Sequence, residues 1–145
     1  MKIVLPGGSG QVGAVLARAF HARGDEVVVL SRGTSCLARD VRIVPWDGRT
    51  LGAWAREVDG ADVVVNLAGR TVDCRSSEAT LRAMMDSRVD STRVGGEAIA
   101  AGARPPRVWL QSSPATIYAH RVDAPNDARS GILGGSEPGG PPHWA

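Results

Sequence analysis

The chain has 145 residues, a length typical of one domain, and its hydrophobic content of 43% is ordinary for a globular protein. A net charge of +2, arginines spread along the chain and an aromatic content of 4% argue against nucleic-acid binding. No apolar run approaches the ~20 residues of a membrane span, and a strand is predicted at the N-terminus, so we expect a cytoplasmic protein with no membrane contact. Cys36 and Cys74 lie far apart without metal-ligand neighbours, which predicts free thiols and no metal site.

A short apolar strand is predicted over residues 3–5, followed by a turn and a helix over 11–23. Gly7, Gly10 and Gly13 lie across this junction, as in a dinucleotide-binding βαβ unit. There they would allow the turn, the approach of a pyrophosphate to the backbone, and close packing of the helix. The anion would meet unpaired N–H groups at the helix N-terminus. The predicted cofactor-binding residues here are Gly7, Ser9, Gly10, Gln11, Val12 and Gly13. A glycine-rich turn before an ordinary helix is the alternative.

The end of a second strand, predicted over 26–30, bears on the choice of cofactor. Enzymes that use NAD usually place a carboxylate here for the ribose 2′-hydroxyl, and this chain has none. Instead, Ser31 can donate to a phosphate oxygen and Arg32 can pair with the phosphate. The sequence therefore favours NADP over NAD as the cofactor. A solvated turn arginine is the alternative reading of Arg32.

The glycine segment of residues 7–13 resembles that of short-chain dehydrogenases/reductases, in particular the extended epimerase/dehydratase branch. In that family, the residues after a third strand border the adenine of the cofactor. Here this strand is predicted over 42–44, so the resemblance makes Trp46 and Asp47 candidates for the adenine face and amino edge. The alternative is that Trp46 anchors the core and Asp47 is a turn acid before Gly48.

A short helix is predicted over 51–58 with Trp54 directed inward, and the next strand runs into Asn66. The small residues that follow suit a place where the backbone approaches a ligand. The segment resembles the Asn-Asn-Ala-Gly motif of short-chain dehydrogenases. This implies that Asn66 stabilises the central strand and that Leu67, Ala68 and Gly69 line the cofactor. A plain strand-ending turn is the alternative.

A long helix is predicted next, capped by Ser76 or Ser77. Its apolar stripe comprises Leu81, Met85, Val89, Thr92, Gly96, Ile99 and Ala103. The pair Gly95-Gly96 costs about 1 kcal/mol per glycine, so we expect close packing there to offset it. The family resemblance places Arg88 where a polar residue faces the nicotinamide-side ribose or the substrate. An exposed helical arginine is the alternative.

A fifth strand, predicted over 107–111, leads into a segment that resembles the Ser-Ser-x-Ala-Thr-x-Tyr motif of extended short-chain dehydrogenases. The resemblance makes Ser112 a cofactor candidate and Ser113, Thr116 and Tyr118 catalytic candidates. Pro114, however, stands where the family has its catalytic hydroxyl.

The family's catalytic tyrosine is followed four residues later by a lysine that lowers the pKa of the phenol. The residue four positions after Tyr118 is Val122, and Lys2 is the only lysine in the sequence. The chemistry therefore uses other groups, with Tyr118 and His120 nearest, or the catalytic half is missing from this chain. Either way, the pattern argues against turnover by these 145 residues alone.

We predict an α/β fold of the Rossmann type, a doubly wound parallel sheet with strand order 3-2-1-4-5 that lacks later strands and a substrate domain. Residues 1–118 would form the dinucleotide-binding domain. Residues 119–145, rich in glycine and proline, would form a poorly ordered substrate-loop segment of a truncated chain.

Two functions follow from this reading. The first is an NADP-binding oxidoreductase or epimerase that acts on a sugar-like or carbonyl substrate. The second is a dinucleotide-binding module without catalysis, either a truncated remnant or a redox sensor. We also expect a homo-oligomer, formed through the exposed sheet edge or the helix of residues 81–103.

Overall fold

The computed structural model describes residues 1–33, 41–75, 77–114, 117–119 and 122–134. The predictions about Cys36, Ser76, Thr116 and His120, and those about residues 135–145, fall outside this range. The chain divides into two compact units, Met1–Ser112 and Ser113–Ala145, and each is described by itself. The functional division after residue 118 stays a prediction.

The first unit is built on a parallel sheet with helices between its strands. Its strands follow the order β3-β2-β1-β4-β5, which confirms the predicted order and the Rossmann-type fold. In chain order its elements are β1 (Lys2–Pro6), α1 (Gln11–Ala22), β2 (Glu26–Ser31), β3 (Arg42–Pro45), α2 (Ala55–Val58), β4 (Val63–Asn66), α3 (Glu78–Ala101) and β5 (Val108–Gln111).

Both faces of the central strands β1 and β2 are buried, as expected for parallel strands of nearly continuous apolar residues. Alternate residues of β1 and β2 enter two separate cores. One core, on the α1 side, comprises Ile3, Leu5, Ala17, Val27, Val29 and Val41. The other, on the α3 side, comprises Val4, Val28, Leu30, Trp46, Trp54, Val58, Ala61, Val64, Val94 and Ala98. Because all five strands are parallel, their carboxyl ends meet at one edge of the sheet, where ligands of such folds bind.

The predicted apolar stripe of α3 is wrong as its buried face. The buried residues are Met84, Ser91, Val94 and Ala98, on a face rotated by about 130° from the stripe. Met85 and Val89, which belong to the stripe, are 39% and 54% exposed. Hydrophobicity misplaced the face because one of its fully buried members is a serine, Ser91, whose hydroxyl has partners inside the protein.

The expectation for the start of α3 is confirmed. The helix begins after Ser77, whose side chain accepts a hydrogen bond from the N–H of Thr80 at 3.2 Å. The glycine pair lies beside Trp109 of β5, but a Cβ at Gly96 would still make an ordinary contact with its ring, at 3.5 Å, so the packing there does not require glycine.

The helix predicted over 51–58 is shorter in the structure, where α2 covers Ala55–Val58. The inward direction of Trp54 is confirmed, because this residue is only 4% exposed. Its indole N–H donates to the carbonyl oxygen of Thr50 at 3.0 Å, and its ring centroid lies 5.6 Å from that of Trp46.

The second unit contains an antiparallel bridge between Tyr118 and Leu133. The N–H of Ala119 donates to the carbonyl oxygen of Ile132 at 2.7 Å. A side chain at Gly131 would collide with the ring of Tyr118, since its Cβ would lie 2.5 Å from a ring carbon. The Tyr118 ring therefore packs directly on the backbone of Gly131.

Within the described residues, no helix combines the length and apolar character needed to cross a membrane. Cys74 is a free, exposed thiol. The described part of the chain also holds no group of three or more His, Cys, Asp and Glu side chains placed to bind a metal ion.

Candidate functional site

A cleft of about 400 Å³ lies at the carboxyl edge of the sheet in the first unit. Its walls come from the turn after β1, the end of β2, the turn after β3, the loop after β4 and the middle of α3. The lining residues are Gly7, Ser9, Gly10, Leu30, Ser31, Arg32, Gly33, Trp46, Asp47, Gly48, Arg49, Leu67, Ala68, Gly69, Arg70, Ser87 and Ser91. The cleft thus brings together ten of the residues predicted to bind a cofactor: Gly7, Ser9, Gly10, Ser31, Arg32, Trp46, Asp47, Leu67, Ala68 and Gly69.

Two glycines of the first turn are required by the protein itself. Gly7 has φ of +73°, and a Cβ on it would lie 2.7 Å from the backbone of Ala68. A Cβ on Gly13 would lie 2.3 Å from the carbonyl oxygen of Gly8, so α1 starts in direct contact with the turn before it. Gly13 therefore lets α1 begin in contact with this turn. The predicted role is similar, but with the sheet as the neighbour of the helix.

Gly10 is a different case, because nothing in the protein requires it to be glycine. Its φ of −77° suits any residue, and a Cβ would meet only the carbonyl oxygen of Gly7, at 3.8 Å. Yet Gly10 lines the cleft and is the N-cap residue of α1. Its missing side chain leaves room for a bound group beside the backbone.

The start of α1 leaves its amides free of side-chain partners. The N-cap residue is Gly10, which has no side chain to accept a hydrogen bond from these amides, and the first turn carries no acidic residue. The first N–H groups of a helix have no partners within the helix, and the helix dipole makes this end positive. An anion in the cleft beside Gly10 would satisfy these groups. Gln11, Val12 and Gly13 do not line the cleft. Their predicted role in binding the cofactor would therefore have to come from their backbone amides.

The end of β2 places a hydroxyl pair and a guanidinium at one side of the cleft. Ser31 is buried, its hydroxyl donates to the hydroxyl of Ser9 at 3.0 Å, and it accepts from the N–H of Gly33 at 3.3 Å. Arg32 is exposed, and within the described residues its guanidinium has no ion pair. Because Ser31 already donates its proton to Ser9, the groups that can donate to an incoming anion are the Ser9 hydroxyl and the Arg32 guanidinium.

The turn after β3 places Trp46 and Asp47 at the wall of the cleft. Trp46 is 6% exposed and packs in the core, yet it also lines the cleft, and its buried indole N–H has no partner in the described residues. Asp47 accepts from the N–H of Arg49 at 2.8 Å and from the hydroxyl of Thr50 at 2.6 Å. The Thr50 hydroxyl is the main reason that the pKa of Asp47 falls to about 2, and backbone N–H groups of the turn add to it. Asp47 is thus a turn carboxylate in the structure, and its adenine contact stays a prediction.

Asn66 joins three elements below the cleft. Its side-chain N–H groups donate to Gln111 on β5 at 2.9 Å and to Ser91 on α3 at 3.3 Å. Its side-chain oxygen accepts from the N–H of Ala68 at 3.0 Å. This buried amide holds the end of β4 in register with its neighbours and shapes the loop of Leu67, Ala68 and Gly69, in agreement with the role that the resemblance gave it.

Arg88 supports the wall of the cleft and is not among its lining residues. Its guanidinium donates to the carbonyl oxygens of Met84 at 2.9 Å and Arg70 at 3.2 Å. The neighbouring Ser87 accepts from the N–H of Arg70 at 2.9 Å, so α3 fixes the loop after β4 from two sides. The predicted contact of Arg88 with a ribose or substrate stays a prediction.

The sequence analysis missed several lining residues, among them Ser87, Ser91, Arg49 and Arg70. The spacing of Ser87 and Ser91 by four residues places both on one face of α3 and could have marked them. No motif marks Arg49 or Arg70, whose positions depend on the turns that hold them.

Of the residues predicted after β5, Ser112 is the one in the first unit, and it is not among the residues that line this cleft. The exposed Ser112 is tied by its N–H to the carbonyl oxygen of Asn66, at 2.9 Å. Ser113 and Tyr118 belong to the second unit, and Thr116 lies outside the described residues. Their catalytic roles stay predictions.

The fold and the cleft together define a Rossmann-type protein with a binding site at the carboxyl edge of its parallel sheet. The model of the NAD dependent epimerase/dehydratase family matches residues 3–133. The chain therefore belongs to this family, which confirms the resemblance drawn from its motifs.

Individual relatives agree with this assignment. The chain is 29% identical over 133 residues to the epimerase family protein SDR39U1 of Bos taurus, and 29% identical over 124 residues to the epimerase family protein YfhF of Bacillus subtilis. These matches cover 90% and 85% of this chain but only 42% and 41% of the relatives. The chain thus spans less than half the length of these proteins.

Solved structures are similar in the same way. A crystal structure of the human epimerase family protein SDR39U1 (isoform 2) with NADPH matches with a TM-score of 0.76 and 27% identity, over 94% of this chain and 44% of that one. A UDP-glucose-4-epimerase from Stenotrophomonas maltophila with bound NAD matches with a TM-score of 0.77 and 18% identity, over 93% of this chain and 43% of that one. The second similarity concerns the fold alone.

Proposed function

We propose that the first unit binds a nicotinamide dinucleotide and prefers NADP(H) to NAD(H). The observation that carries this proposal is Gly10, which lines the cleft at the start of α1 although neither its backbone angle nor any neighbouring atom requires glycine. A diphosphate beside this residue would meet the first-turn amides of α1, the arrangement that dinucleotide-binding folds use.

The charge of the cleft supports an anionic ligand. Arg32, Arg49 and Arg70 line it, and among the lining residues that the structure describes Asp47 is the one carboxylate. The turn already uses both oxygens of this carboxylate as acceptors. Since like charges focused in a cleft attract the opposite charge, the cleft favours a polyanion such as a dinucleotide.

The preference for NADP(H) is supported by the end of β2, where Ser31 and Arg32 stand in place of a carboxylate. Arg32 can form a charge-assisted pair with a 2′-phosphate. The human relative whose structure contains NADPH points to the same cofactor. The backbone of Leu67, Ala68 and Gly69 would then follow the remainder of the dinucleotide along the cleft.

We further propose that the whole protein is an oxidoreductase or epimerase acting on a sugar-like or carbonyl substrate in the cytoplasm. A bound nicotinamide supplies hydride transfer. The family supports this activity, and the exposed free thiol of Cys74 supports a reducing compartment. Ser113, Thr116 and Tyr118 are the proposed polar groups at the substrate.

A dinucleotide-binding module without catalysis is the second candidate function. It is favoured by Pro114 in the position of the family's catalytic hydroxyl, and by the absence of a lysine four residues after Tyr118. The two functions differ in turnover. Hydride transfer by the 145-residue chain with sugar nucleotides or simple carbonyl compounds would contradict the module. Tight cofactor binding without any turnover would favour it.

Cofactor binding itself is tested by titrating the protein with NADPH and NADH and following nucleotide fluorescence. We expect Gly10→Ala to weaken NADPH binding at least about tenfold, because the methyl group would occupy the space beside the diphosphate. The stability of this variant should stay close to that of the wild type, since a Cβ at Gly10 meets no protein atom within 3.5 Å.

Gly95→Ala is the matched control, since Gly95 lies in α3 outside the cleft lining, and a Cβ there would make only an ordinary contact, 3.9 Å from the ring of Trp109. It should leave the affinity unchanged and stabilise the helix by about 1 kcal/mol. Equal NADPH affinities of Gly10→Ala and Gly95→Ala would contradict the proposed site. A wild-type chain that binds neither nucleotide would contradict the proposed function.

A further inference from the structure

Arg49 shares the lining of the cleft with Arg32, although no sequence motif marks it. It lies in the turn after β3, on a different loop from Arg32 at the end of β2. The cleft therefore receives two guanidinium groups from two separate elements of the sheet edge. This convergence is the starting point for a role of Arg49 in recognising the ligand.

The backbone of Arg49 is held from both sides. Its N–H donates to the carboxylate of Asp47 at 2.8 Å, and its carbonyl oxygen accepts from the guanidinium of Arg93 at 2.9 Å. The side chain, by contrast, is 63% exposed. A fixed backbone with an exposed side chain suits a residue that reaches for a ligand, because little backbone entropy remains to be lost.

The present partner of Arg49 can release it at low cost. The Arg49 guanidinium lies 3.4 Å from the carboxylate of Asp90, in an exposed pair of the kind that contributes little to stability. Arg93 lies 3.8 Å from the same carboxylate. Asp90 would therefore keep a cationic neighbour if Arg49 moved to another anion.

We propose that Arg49 is a second recognition residue for the 2′-phosphate of NADP(H), which it binds together with Arg32 after leaving Asp90. The proposal rests on the proposed function. A phosphate monoester carries about −1.5 to −2 charges at pH 7, so a single guanidinium leaves part of this charge unbalanced. Two guanidiniums from different loops would balance it and fix its position, whereas the 2′-hydroxyl of NAD(H) offers them no charge.

The test is a titration of wild-type protein, Arg49→Met, Arg49→Lys and Arg82→Met with NADPH and NADH. Arg49→Met should weaken NADPH binding about tenfold and change NADH binding less than about twofold. Arg49→Lys keeps the positive charge but loses the paired N–H donors of the guanidinium. Its NADPH affinity should therefore lie between those of the wild type and Arg49→Met. Arg82 is an exposed arginine paired with Glu78 on α3 and is not part of the cleft lining, so Arg82→Met should change neither affinity.

Displacement by 2′,5′-ADP and by 5′-AMP separates the 2′-phosphate from the rest of the nucleotide. Arg49→Met should bind 2′,5′-ADP more weakly than the wild type does, whereas its affinity for 5′-AMP should be unchanged. Asp90→Asn should bind NADPH about two- to threefold more tightly, because Arg49 then gives up no ion pair on binding.

Equal weakening of NADPH and NADH by Arg49→Met would mean that the residue only supports the fold, and would overturn this inference. Unchanged NADPH affinity in Arg49→Met, with strong binding by the wild type, would overturn it while leaving the proposed function intact. A wild-type chain that ignores NADPH would overturn both.

Discussion

Asp47 illustrates how a single side chain shapes the cleft without a ligand. Its carboxylate accepts hydrogen bonds from the N–H groups of Arg49 and Thr50 and from the Thr50 hydroxyl, an arrangement in which an aspartate mimics a backbone turn. The turn sets the position of Arg49, which lines the cleft. Asp47 therefore connects turn chemistry to the charge of the site.

The pKa of Asp47 gives this turn a pH dependence. The folded protein holds the pKa at about 2, below the ordinary value of 3.8, chiefly through the Thr50 hydroxyl. A lowered pKa means that the contribution to stability is complete above the unfolded value and is lost as the pH falls through the folded one. We therefore expect the stability difference between wild type and Asp47→Asn to be present at pH 7 and to shrink between about pH 4 and pH 2.

Two-dimensional NMR of the Asp47 carboxyl group gives a direct measurement. The titration midpoint should lie near 2 in the wild type and move towards 3.8 in Thr50→Val, which lacks the main hydrogen-bond donor. Asp73 serves as the comparison within the same spectra, since it is an exposed aspartate outside this turn. A wild-type midpoint at the ordinary value would show that the turn does not hold the carboxylate.

For single residues, the sequence allowed two kinds of prediction. It identified glycines at places where two backbone segments pack closely, and polar residues whose role follows from their position at the end of a strand. Gly7 and Gly13 could be predicted because the turn between β1 and α1 needs them. Ser31 and Arg32 could be predicted because they stand at the end of β2. Arg49 could not be found this way. Its place in the cleft depends on Asp47 before it and on Arg93, which lies 44 residues further along the chain.

Among the elements, α3 is the one whose buried face could not be predicted from the sequence. Its existence and its cap at Ser77 could be predicted from local patterns. Its buried face could not, because the face is centred on Ser91, which binds Asn66 at the end of β4. A polar residue satisfied by a distant partner is invisible to a hydrophobic pattern.

The adjacent methionines Met84 and Met85 test the revised face of α3. Met84 is 6% exposed and Met85 is 39% exposed. We expect Met84→Ala to lower the free energy of unfolding by about 2–4 kcal/mol, because it leaves a cavity in the core. Met85→Ala should cost less than about 1 kcal/mol. Chemical denaturation of both variants measures the difference, and a greater loss in Met85→Ala would restore the stripe predicted from the sequence.

Considered as a whole, the first unit follows from simple rules. Five apolar strands separated by helical or polar segments predict a parallel sheet, and right-handed crossovers leave the order 3-2-1-4-5 as the natural one for a dinucleotide-binding half. The division of the chain after Ser112 was not foreseen, because the segment that follows β5 has no periodic apolar pattern to reveal its own contacts.

The sheet also leaves an apolar surface along its β5 edge. On β5, Val108 is 43%, Trp109 is 40% and Leu110 is 52% exposed, and Val89 of the neighbouring α3 is 54% exposed. An exposed apolar edge strand can pair with another chain, and the adjoining helix widens the surface. We propose that a second copy of this chain covers it.

Sedimentation velocity over a range of concentrations tests this association. The wild type should form dimers as its concentration rises, whereas Leu110→Glu and Val89→Glu should stay monomeric, because each would bury a charge in the interface. Val15→Glu is the matched control: Val15 is 57% exposed on α1, whose side of the sheet is the opposite one, so its dimer should persist. Should the wild type remain monomeric at every concentration, or should Val15→Glu dissociate as readily as the other two, the edge of β5 would not be the contact.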